Sequence, residues 1–288
     1  MTKNFVAIGG GAGMRTMATT LRALKEARSE ISVTALITSG VPDDAIQDDV
    51  ARAGDAFEKR AATLAETKEI LGDGGTAMHL TPQMLNLAIW YERGDMVHTQ
   101  TAKPEDRATR EAYGRITAAA ITGSCAAYDA AIEAIAAADA VFFGPGDFIE
   151  ILPGFLVPGV RETIRQKHRH PAIVLIPPLM SRCAQGLSVR DFLWETNRFC
   201  GRNIITHAFI NTGMPESLQI QHYGIPHGAY CVDGASLNIP TSAILVRDDL
   251  VLKNLGASAT LTPETMKIRH DPRAILSLIE KFVIQNET

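Results

Sequence analysis

Two glycine-rich turns, each following a short apolar run, are the parts of this sequence best suited to binding chemistry. The first turn comprises Gly9, Gly10, Gly11, Ala12 and Gly13. The second turn is Gly144-Pro145-Gly146. Glycine adopts backbone angles that other residues avoid, and small side chains leave backbone N–H groups bare. A negatively charged ligand can therefore approach the main chain closely at such turns.

The first turn stands between a predicted strand and a predicted helix. Residues 5–8 are apolar, and the segment from Met14 to Ser29 has apolar residues at helical spacing. The turn lacks the third glycine of the dinucleotide motif, because Met14 occupies that position, and the next strand, residues 33–37, has no acidic residue at its tip. The pattern favours contact with a phosphate or nucleotide over a purely structural turn, and it does not predict NAD.

The second turn ends the apolar run Ala140–Phe143, which is typical of a buried strand. Pro145 fixes its own φ and removes a hydrogen-bond donor, so the chain turns sharply there. In open α/β sheets, ligands bind outside the carboxyl ends of the strands. An isolated Gly-Pro-Gly is more often a plain strand-to-loop turn, and the other glycine-rich strand end is what favours a ligand site. We expect the two turns to lie side by side and to bind one negatively charged ligand together.

Asp43 and Asp44 follow the second predicted strand and give two adjacent carboxylates near the first turn. They could hold Mg²⁺ that bridges phosphate oxygens, or they could cap the helical segment that begins at Ala45. The sequence leaves both interpretations open.

Asn86 is a polar residue in an otherwise apolar segment. Thr81 and Pro82 predict a helix start, and the helix would carry Leu85, Leu87 and Trp90 along with Asn86. A buried amide needs partners, so Asn86 is interpreted either as a structural hydrogen-bonding residue or as a ligand contact.

Composition excludes several classes of partner. The formal net charge is −4 and the chain has no block of Lys or Arg, which argues against nucleic acid or an anionic membrane as a partner. The four cysteines stand far apart, which fits reduced thiols in a cytoplasmic protein. We expect neither a signal peptide nor a membrane-spanning segment.

Strands alternating with helical patterns predict an α/β fold with a mostly parallel sheet and helices on both faces. We expect a single domain over residues 1–288, with a polar insertion near residues 95–110. A long helix, or two helices, is predicted over residues 45–71. Its apolar stripe is narrow and would pack on the sheet or on a second subunit, which favours a homo-oligomer such as a dimer.

The sequence resembles the family that joins the CofD-like 2-phospho-L-lactate transferases to the YvcK-like, or gluconeogenesis-factor-like, proteins. The resemblance rests on the first turn with residues 6–8, and above all on the block from Ala138 through Gly144-Pro145-Gly146 to Pro153, followed by Leu156-Val157-Pro158-Gly159. The intact Leu-Val-Pro-Gly is more similar to the YvcK-like branch.

This resemblance implies a Rossmann-like sheet that binds a nucleotide or nucleotide sugar across its strand tips. Both glycine turns would contact phosphates, and Asp43 and Asp44 would lie where the family's paired aspartates hold metal. The YvcK-like branch implies a binding protein with a regulatory role. The transferase branch implies a Mg²⁺-dependent enzyme that moves a phosphate-linked group from a nucleotide donor to an alcohol, with Asp43 and Asp44 as its catalytic residues.

The chain departs from the family pattern in three places. Ala45-Ile46 follows the paired aspartates where glycines and serines are usual, and Asp147 replaces a small hydroxyl residue after Gly-Pro-Gly. A carboxylate there would repel a phosphate, so Asp147 must turn away, be bridged by a cation, or indicate a less anionic ligand. Arg182 stands in a replaced segment, where it could supply a positive charge to the ligand or simply be a surface residue.

Overall fold

The strands and helices that position the two turns are defined in a computed structural model of the chain. It describes residues 2–38, 50–83, 85–91, 94–99, 116–122, 124–146, 148–166, 172–179, 189–201, 203–217, 219, 242–253 and 268–285.

The main sheet has seven strands, all parallel, in the order β10-β9-β8-β7-β1-β2-β3. In chain order the ten strands found among the described residues are β1 (Lys3–Gly9), β2 (Ile31–Ile37), β3 (Gly75–His79), β4 (Asn86–Tyr91), β5 (Gly94–Thr99), β6 (Ile116–Thr122), β7 (Ala140–Phe143), β8 (Ala172–Leu175), β9 (His207–Asn211) and β10 (Ile244–Asp248). The chain builds outward from β1 to β3, returns to the other side of β1 at β7, and then builds outward to β10. This is the strand order of a doubly wound fold, and it confirms the predicted fold class.

Helices pack on both faces of this sheet. In chain order they are α1 (Gly11–Ala27), α2 (Val50–Leu71), α3 (Asp129–Ala137), α4 (Phe148–Ile151), α5 (Pro153–Leu156), α6 (Val160–Gln166), α7 (Val189–Cys200) and α8 (Pro272–Ile279). A 3₁₀ turn, Gly72–Gly74, follows α2, and a π-helical segment, Glu280–Ile284, follows α8.

Strand β1 shows why helices are needed on both faces. Val6 and Ile8 point into a core shared with α3 and α5 to α7, whereas Phe5 and Ala7 point into a second core shared with α1 and α8. Alternate residues of a strand face opposite sides, so an uninterrupted apolar run is stable only if both sides are covered.

Local signals in the sequence mark the boundaries of these helices. Asp271 caps α8 by accepting a hydrogen bond from the N–H of Arg273 at 2.8 Å, and Pro272 is the first helical residue. Helix α7 ends at Gly201, whose φ of +72° lies in the left-handed region that glycine tolerates.

The helix predicted after Pro82 is wrong, because Asn86–Tyr91 forms strand β4. Thr81 donates its hydroxyl hydrogen bond to the carbonyl of Gln83 at 2.8 Å, which closes a local turn instead of capping a helix. The segment that follows is rich in aromatic and branched residues, which suit a strand. Its pairing partners lie later in the chain, so a single window of sequence does not reveal them.

Strand β4 is the centre of a second, antiparallel sheet with the order β5-β4-β6. Residues 94–99 of the predicted insertion therefore form a strand, and residues 100–115 lie outside the described part of the chain. Ala119 and Ile121 of β6 pack against the core that contains Ile8. Arg198 of α7 donates to the carbonyl of Thr117 at 2.6 Å and ties this small sheet to the main body.

Helix α2 is continuous from Val50 to Leu71, so within its described range the predicted segment is one helix. No helix in the described part of the chain has the length and apolar character needed to cross a membrane. Cys125 and Cys200 are free thiols, and burial raises the pKa of both.

Candidate functional site

The order in which strands are added to the main sheet reverses its direction between β1 and β7. From this pair the chain runs to β2 and β3 on one side and to β8, β9 and β10 on the other. Loops leaving two adjacent strands in opposite directions open a crevice at their carboxyl ends, where ligands of doubly wound folds bind. Both glycine-rich turns lie at this point, because they follow β1 and β7.

The first turn, Gly9 to Gly13, leads directly into α1. Gly10 caps the helix in an extended conformation with no side-chain hydrogen bond, and the first helical turn carries no acidic residue. Gly11 has φ +51°, so a side chain there would be strained. The first N–H groups of a helix have no partners within it and carry partial positive charge. This end of α1 therefore favours an anion.

The second turn, Gly144 to Gly146, is shaped by close backbone contacts. Gly144 has φ +85°, and a Cβ at this residue would lie 2.5 Å from the carbonyl oxygen of Ile176, at the end of the neighbouring strand β8. Its N–H donates to the carbonyl of Ile8 at 3.1 Å, which extends the pairing of β7 with β1 by one residue. Only glycine fits this position.

The two turns are in direct contact. A Cβ at Gly13 would overlap the carbonyl oxygen of Pro145, and a Cβ at Gly9 would lie 3.9 Å from the Cα of Gly144. The backbone of one turn therefore packs on the backbone of the other. The sequence predicted this adjacency, and the structure confirms it; the role of these residues in binding a ligand stays a prediction.

Glu150 is a residue of this site whose role the sequence did not suggest. Its carboxylate lies where a Cβ at Gly11 would be, and its Oε2 would be 3.0 Å from a Cβ at Gly146. Thr38, which follows β2, donates its hydroxyl hydrogen bond to the backbone carbonyl of Glu150. The signal was the spacing: four residues after Gly146, one helical turn returns a side chain over the turn that precedes it.

The remaining predicted site residues are not brought together by the described structure. Asn86 begins β4 in the small antiparallel sheet, with Thr122 as its partner across the strands, so the predicted helix does not position it. Asp43, Asp44, Asp147 and Arg182 lie outside the described residues. Within the described ranges, no group of three or more His, Cys, Asp or Glu side chains could hold a metal ion.

His270 is a buried titratable group near the carboxyl edge of the sheet. Its Nε2 lies 3.1 Å from the carbonyl oxygen of Pro177, just beyond β8. Burial lowers the pKa of His270 to about 4, although the hydrogen bond to Pro177 opposes the shift. The imidazole is therefore neutral near pH 7 and donates from Nε2.

The end of β9 is a different kind of turn. The side-chain oxygen of Asn211 accepts hydrogen bonds from the N–H groups of Gly213 at 3.0 Å and Leu250 at 2.9 Å. Its side-chain nitrogen donates to the carbonyl of Gly213 at 2.7 Å. The side-chain amide of Asn211 thus supplies hydrogen-bond partners for backbone groups that strand pairing does not satisfy at the end of β9.

Sequence comparison assigns the chain to a family. The family model described as 2-phospho-L-lactate transferase CofD matches residues 50–237, more than half of the chain. This chain belongs to the CofD family. The match includes the Gly144–Gly146 turn and Glu150, and it begins after the first glycine turn and after Asp43 and Asp44.

A relative from Aquifex aeolicus (strain VF5), called a putative gluconeogenesis factor, is 25% identical over 230 residues. The alignment covers 78% of this CofD-family chain and 65% of that protein, so the chain spans about two thirds of its relative's length.

Solved structures share the fold. Protein BH3568 from Bacillus halodurans superposes with a TM-score of 0.71 at 18% sequence identity, covering 97% of this chain and all of that one. A second structure of the same protein, described as a member of the UPF0052 family, gives a TM-score of 0.70 at the same identity, covering 96% of this chain and 99% of that one. At this identity the likeness establishes the α/β fold.

Proposed function

We propose that this protein binds a nucleotide or nucleotide sugar, such as a UDP-sugar, through its phosphates at the paired glycine turns. The observation that carries the proposal is the contact between Gly13 and Pro145 at the switch point of the sheet. Two turns with bare backbone meet there, beside the positive end of α1. The role is that of a cytoplasmic binding protein, regulatory rather than catalytic, as the similarity to a gluconeogenesis factor favours.

The chemistry of the turns suits phosphate better than an uncharged ligand. Backbone N–H groups at a helix N-terminus can donate to phosphate oxygens, and the helix dipole favours their negative charge. Glycines at positions 11, 13, 144 and 146 allow the two turns to pack this closely, because a Cβ at each would lie within 3.0 Å of a neighbouring protein atom. The base and the sugar would then be recognised by residues farther from the turns.

The proposal is tested by isothermal titration calorimetry and thermal unfolding with UDP, UDP-glucose and GDP, each with and without Mg²⁺. A ligand that binds the folded state raises the unfolding temperature with its concentration. We expect at least one of these nucleotides to bind and to raise that temperature. Absence of heat and of any thermal shift for all three would contradict the proposal.

Gly13→Ala locates the binding site. The new Cβ would overlap the carbonyl of Pro145 and force the two turns apart, so we expect affinity to fall at least about tenfold, equivalent to about 1.4 kcal/mol. Gly72→Ala is the matched control, because Gly72 has φ +55° but no atom within 4 Å of its Cβ position. It should lose some stability from strain and keep full affinity. Equal loss of affinity in both variants would argue against the site.

The second candidate function is a Mg²⁺-dependent transferase, favoured by the description of the matching family. In this case Asp43 and Asp44 would hold Mg²⁺ against the phosphates, and a phosphate-linked group would move from the nucleotide to an alcohol. Asp43→Asn should then abolish any Mg²⁺ dependence of nucleotide binding, whereas Asp73→Asn, on the 3₁₀ turn after α2, should not. If Mg²⁺ leaves wild-type affinity unchanged, the metal role fails.

We also propose that the protein is a homo-oligomer, most simply a dimer. Light scattering coupled to size-exclusion chromatography measures its mass directly. A monomeric mass of 31.1 kDa over the micromolar range would contradict this part of the proposal.

A further inference from the structure

A short segment near the end of the chain contacts the elements that carry both glycine turns. Residues 270–272, called here the 270–272 segment, lead from a β-bridge into helix α8. His270 pairs with Val251 in that antiparallel bridge, and the N–H of Asp271 donates to the carbonyl of Leu250 at 2.8 Å. Because Leu250 and Val251 are buried, these contacts fix the backbone of the segment against the core.

His270 holds the chain where β8 ends. Its Nε2 donates to the carbonyl of Pro177 at 3.1 Å, and both residues are buried. Proline has no N–H, so its carbonyl is the one backbone group through which a hydrogen bond can hold Pro177. A buried carbonyl without a partner is unfavourable, so the contact with His270 fixes this position of the chain.

The end of β8 in turn supports the second glycine turn. The N–H of Ile176 donates to the carbonyl of Phe143 at 2.9 Å, and the Ile176 carbonyl oxygen would lie 2.5 Å from a Cβ at Gly144. Gly144 therefore packs directly on the peptide group that joins Ile176 to Pro177. A shift of this peptide group would move Gly144 and the turn that begins there.

The 270–272 segment also contacts the helix that follows the first turn. Thr20 of α1 is fully buried, and its hydroxyl oxygen lies 3.0 Å from the carbonyl oxygen of Thr16 and 3.2 Å from that of Pro272. Its hydroxyl donates a hydrogen bond that these two carbonyls share. Asp271 caps α8 at the same place, so the start of α8 is fixed where it meets α1.

We propose that the 270–272 segment positions the two glycine turns relative to each other, and that His270 is a positioning residue for phosphate binding. This inference rests on the proposed function of the turns. His270 acts on the second turn through the end of β8, and Pro272 acts on α1 through Thr20. A phosphate that contacts both turns needs N–H groups at hydrogen-bond distance on each side, and hydrogen bonds weaken steeply when their geometry is lost. His270 therefore contributes to affinity without touching the ligand.

The test compares His270→Leu with His270→Gln. Leucine fills similar space but has no donor for Pro177, whereas the glutamine amide keeps one. In calorimetric titration with UDP, UDP-glucose and GDP, below the unfolding transition, His270→Leu should bind at least about fivefold more weakly than wild type. His270→Gln should bind within about twofold of wild type. A purely structural histidine would change stability in the leucine variant and leave the affinity of the folded protein unchanged.

Thr206→Val is the matched control, because Thr206 holds the opposite end of the same strand. Its hydroxyl accepts a hydrogen bond from the N–H of Ile173 at 2.8 Å and lies 3.0 Å from the Ile173 carbonyl oxygen. This variant should also lower stability, since it removes the partner of a strand N–H. It should leave nucleotide affinity within about twofold of wild type, because the amino end of β8 is remote from the turns.

Two further measurements keep the test decisive if His270→Leu folds poorly. Thr20→Val keeps the shape of the side chain and removes the hydrogen bond to Pro272, and it should weaken nucleotide binding about two- to threefold. Hydrogen exchange needs no ligand: the N–H of Gly144, which donates to the carbonyl of Ile8, should exchange faster in His270→Leu and at the wild-type rate in Thr206→Val.

The outcomes separate this inference from the proposed function. If wild type binds a nucleotide and both His270→Leu and Thr20→Val bind it as tightly, the positioning role is overturned and the binding function stands. If His270→Leu and Thr206→Val weaken binding equally, the loss follows general destabilisation, and the positioning role is again overturned. If wild type binds none of the three nucleotides, the proposed function is contradicted, and the role of His270 in binding falls with it.

Discussion

Two turns at the carboxyl ends of strands in the main sheet use glycine in different ways. One follows β9, and the other is the pair of turns that follow β1 and β7. At the end of β9, the amide of Asn211 pairs with backbone groups of Gly213 and Leu250, so the turn satisfies its own hydrogen bonds. At the ends of β1 and β7, glycines bring two backbones into contact, and the helix cap has no side-chain hydrogen bond. At the end of β9, the Asn211 side chain supplies the hydrogen-bond partners that the backbone needs. In the second arrangement, the carboxylate of Glu150 lies against both turns.

The difference shows that glycine content alone does not identify a binding turn. What separates the two ends is the source of the hydrogen-bond partners and their place in the strand order. The Asn211 turn lies next to the sheet edge at β10, whereas the paired turns lie at the switch point. The variants that follow test this contrast by changing equivalent features at both ends.

The largest effect is expected from removing a buried ring beneath each end. Phe143 and Phe209 are both fully buried, so Phe143→Ala and Phe209→Ala should each lower the free energy of unfolding by about 3–5 kcal/mol. Phe143 directly precedes Gly144, so only its variant should also weaken nucleotide binding. Urea unfolding and calorimetric titration measure the two quantities. If both variants weakened nucleotide binding equally, the ends of β7 and β9 would not differ in function.

Asn211→Ala should destabilise the protein by about 2–4 kcal/mol, because two backbone N–H groups lose their acceptor and one of them, in Leu250, is part of a buried hydrogen bond. Nucleotide affinity, measured below the unfolding transition, should stay within twofold of wild type. If nucleotide affinity fell while the free energy of unfolding stayed the same, the ligand would bind at the end of β9 and not at the paired glycine turns.

The stability of the protein should fall as the pH is lowered from about 6.5 to about 4. Because the pKa of His270 in the folded state is about 4, the unfolded chain binds the proton more readily over this range. The contribution is fully present above pH 6.5 and amounts to roughly 3 kcal/mol.

His270→Gln should flatten this part of the pH profile in urea unfolding, since glutamine can still donate to Pro177 but does not titrate. Burial also lowers the pKa of His207, which is partly exposed and should contribute less. An unchanged slope in the variant would show that other groups govern acid unfolding.

The smallest effect is expected from Thr38→Val, at about 1 kcal/mol, because one hydrogen bond to the Glu150 carbonyl is lost. Thr67→Val is a comparable loss within α2, where Thr67 donates to the carbonyl of Thr63 at 2.7 Å. Only Thr38→Val should alter nucleotide affinity, because it releases the backbone that carries Glu150. Identical affinities in calorimetry would mean that the segment is held by other contacts.

The sequence predicted strands β1, β2 and β7 of the main sheet, because each carries its own apolar signal, but it did not predict strand β3, Gly75–His79. Ala140–Phe143 is apolar throughout and is bounded by a turn, and the structure places β7 over those four residues. Capping residues such as Asp271 act within a few residues of themselves. Local rules therefore suffice for these elements.

The small sheet was not predicted, because its stability depends on distant partners. Three of the seven residues of strand β6 are alanine, and β4 follows an apparent helix start, so each becomes a strand through pairing with the other. At the site, the adjacency of the two glycine turns followed from the rule for strand ends. The position of the Glu150 carboxylate did not, since it depends on how a single turn of helix is oriented after Gly146.

The pairing of β1 with β7 also has a consequence for how the protein is made. Asn4 donates its backbone N–H to the Asp139 side chain, and the two residues are 135 positions apart in the chain. A ribosome must therefore synthesise nearly half of the polypeptide before the centre of the sheet can close. Contacts so distant in sequence slow folding, because a long loop must be ordered first. Throughout that interval, the edge of β1 that later pairs with β7 stays uncovered in newly made chains. We therefore expect chaperones to contact this strand early in synthesis.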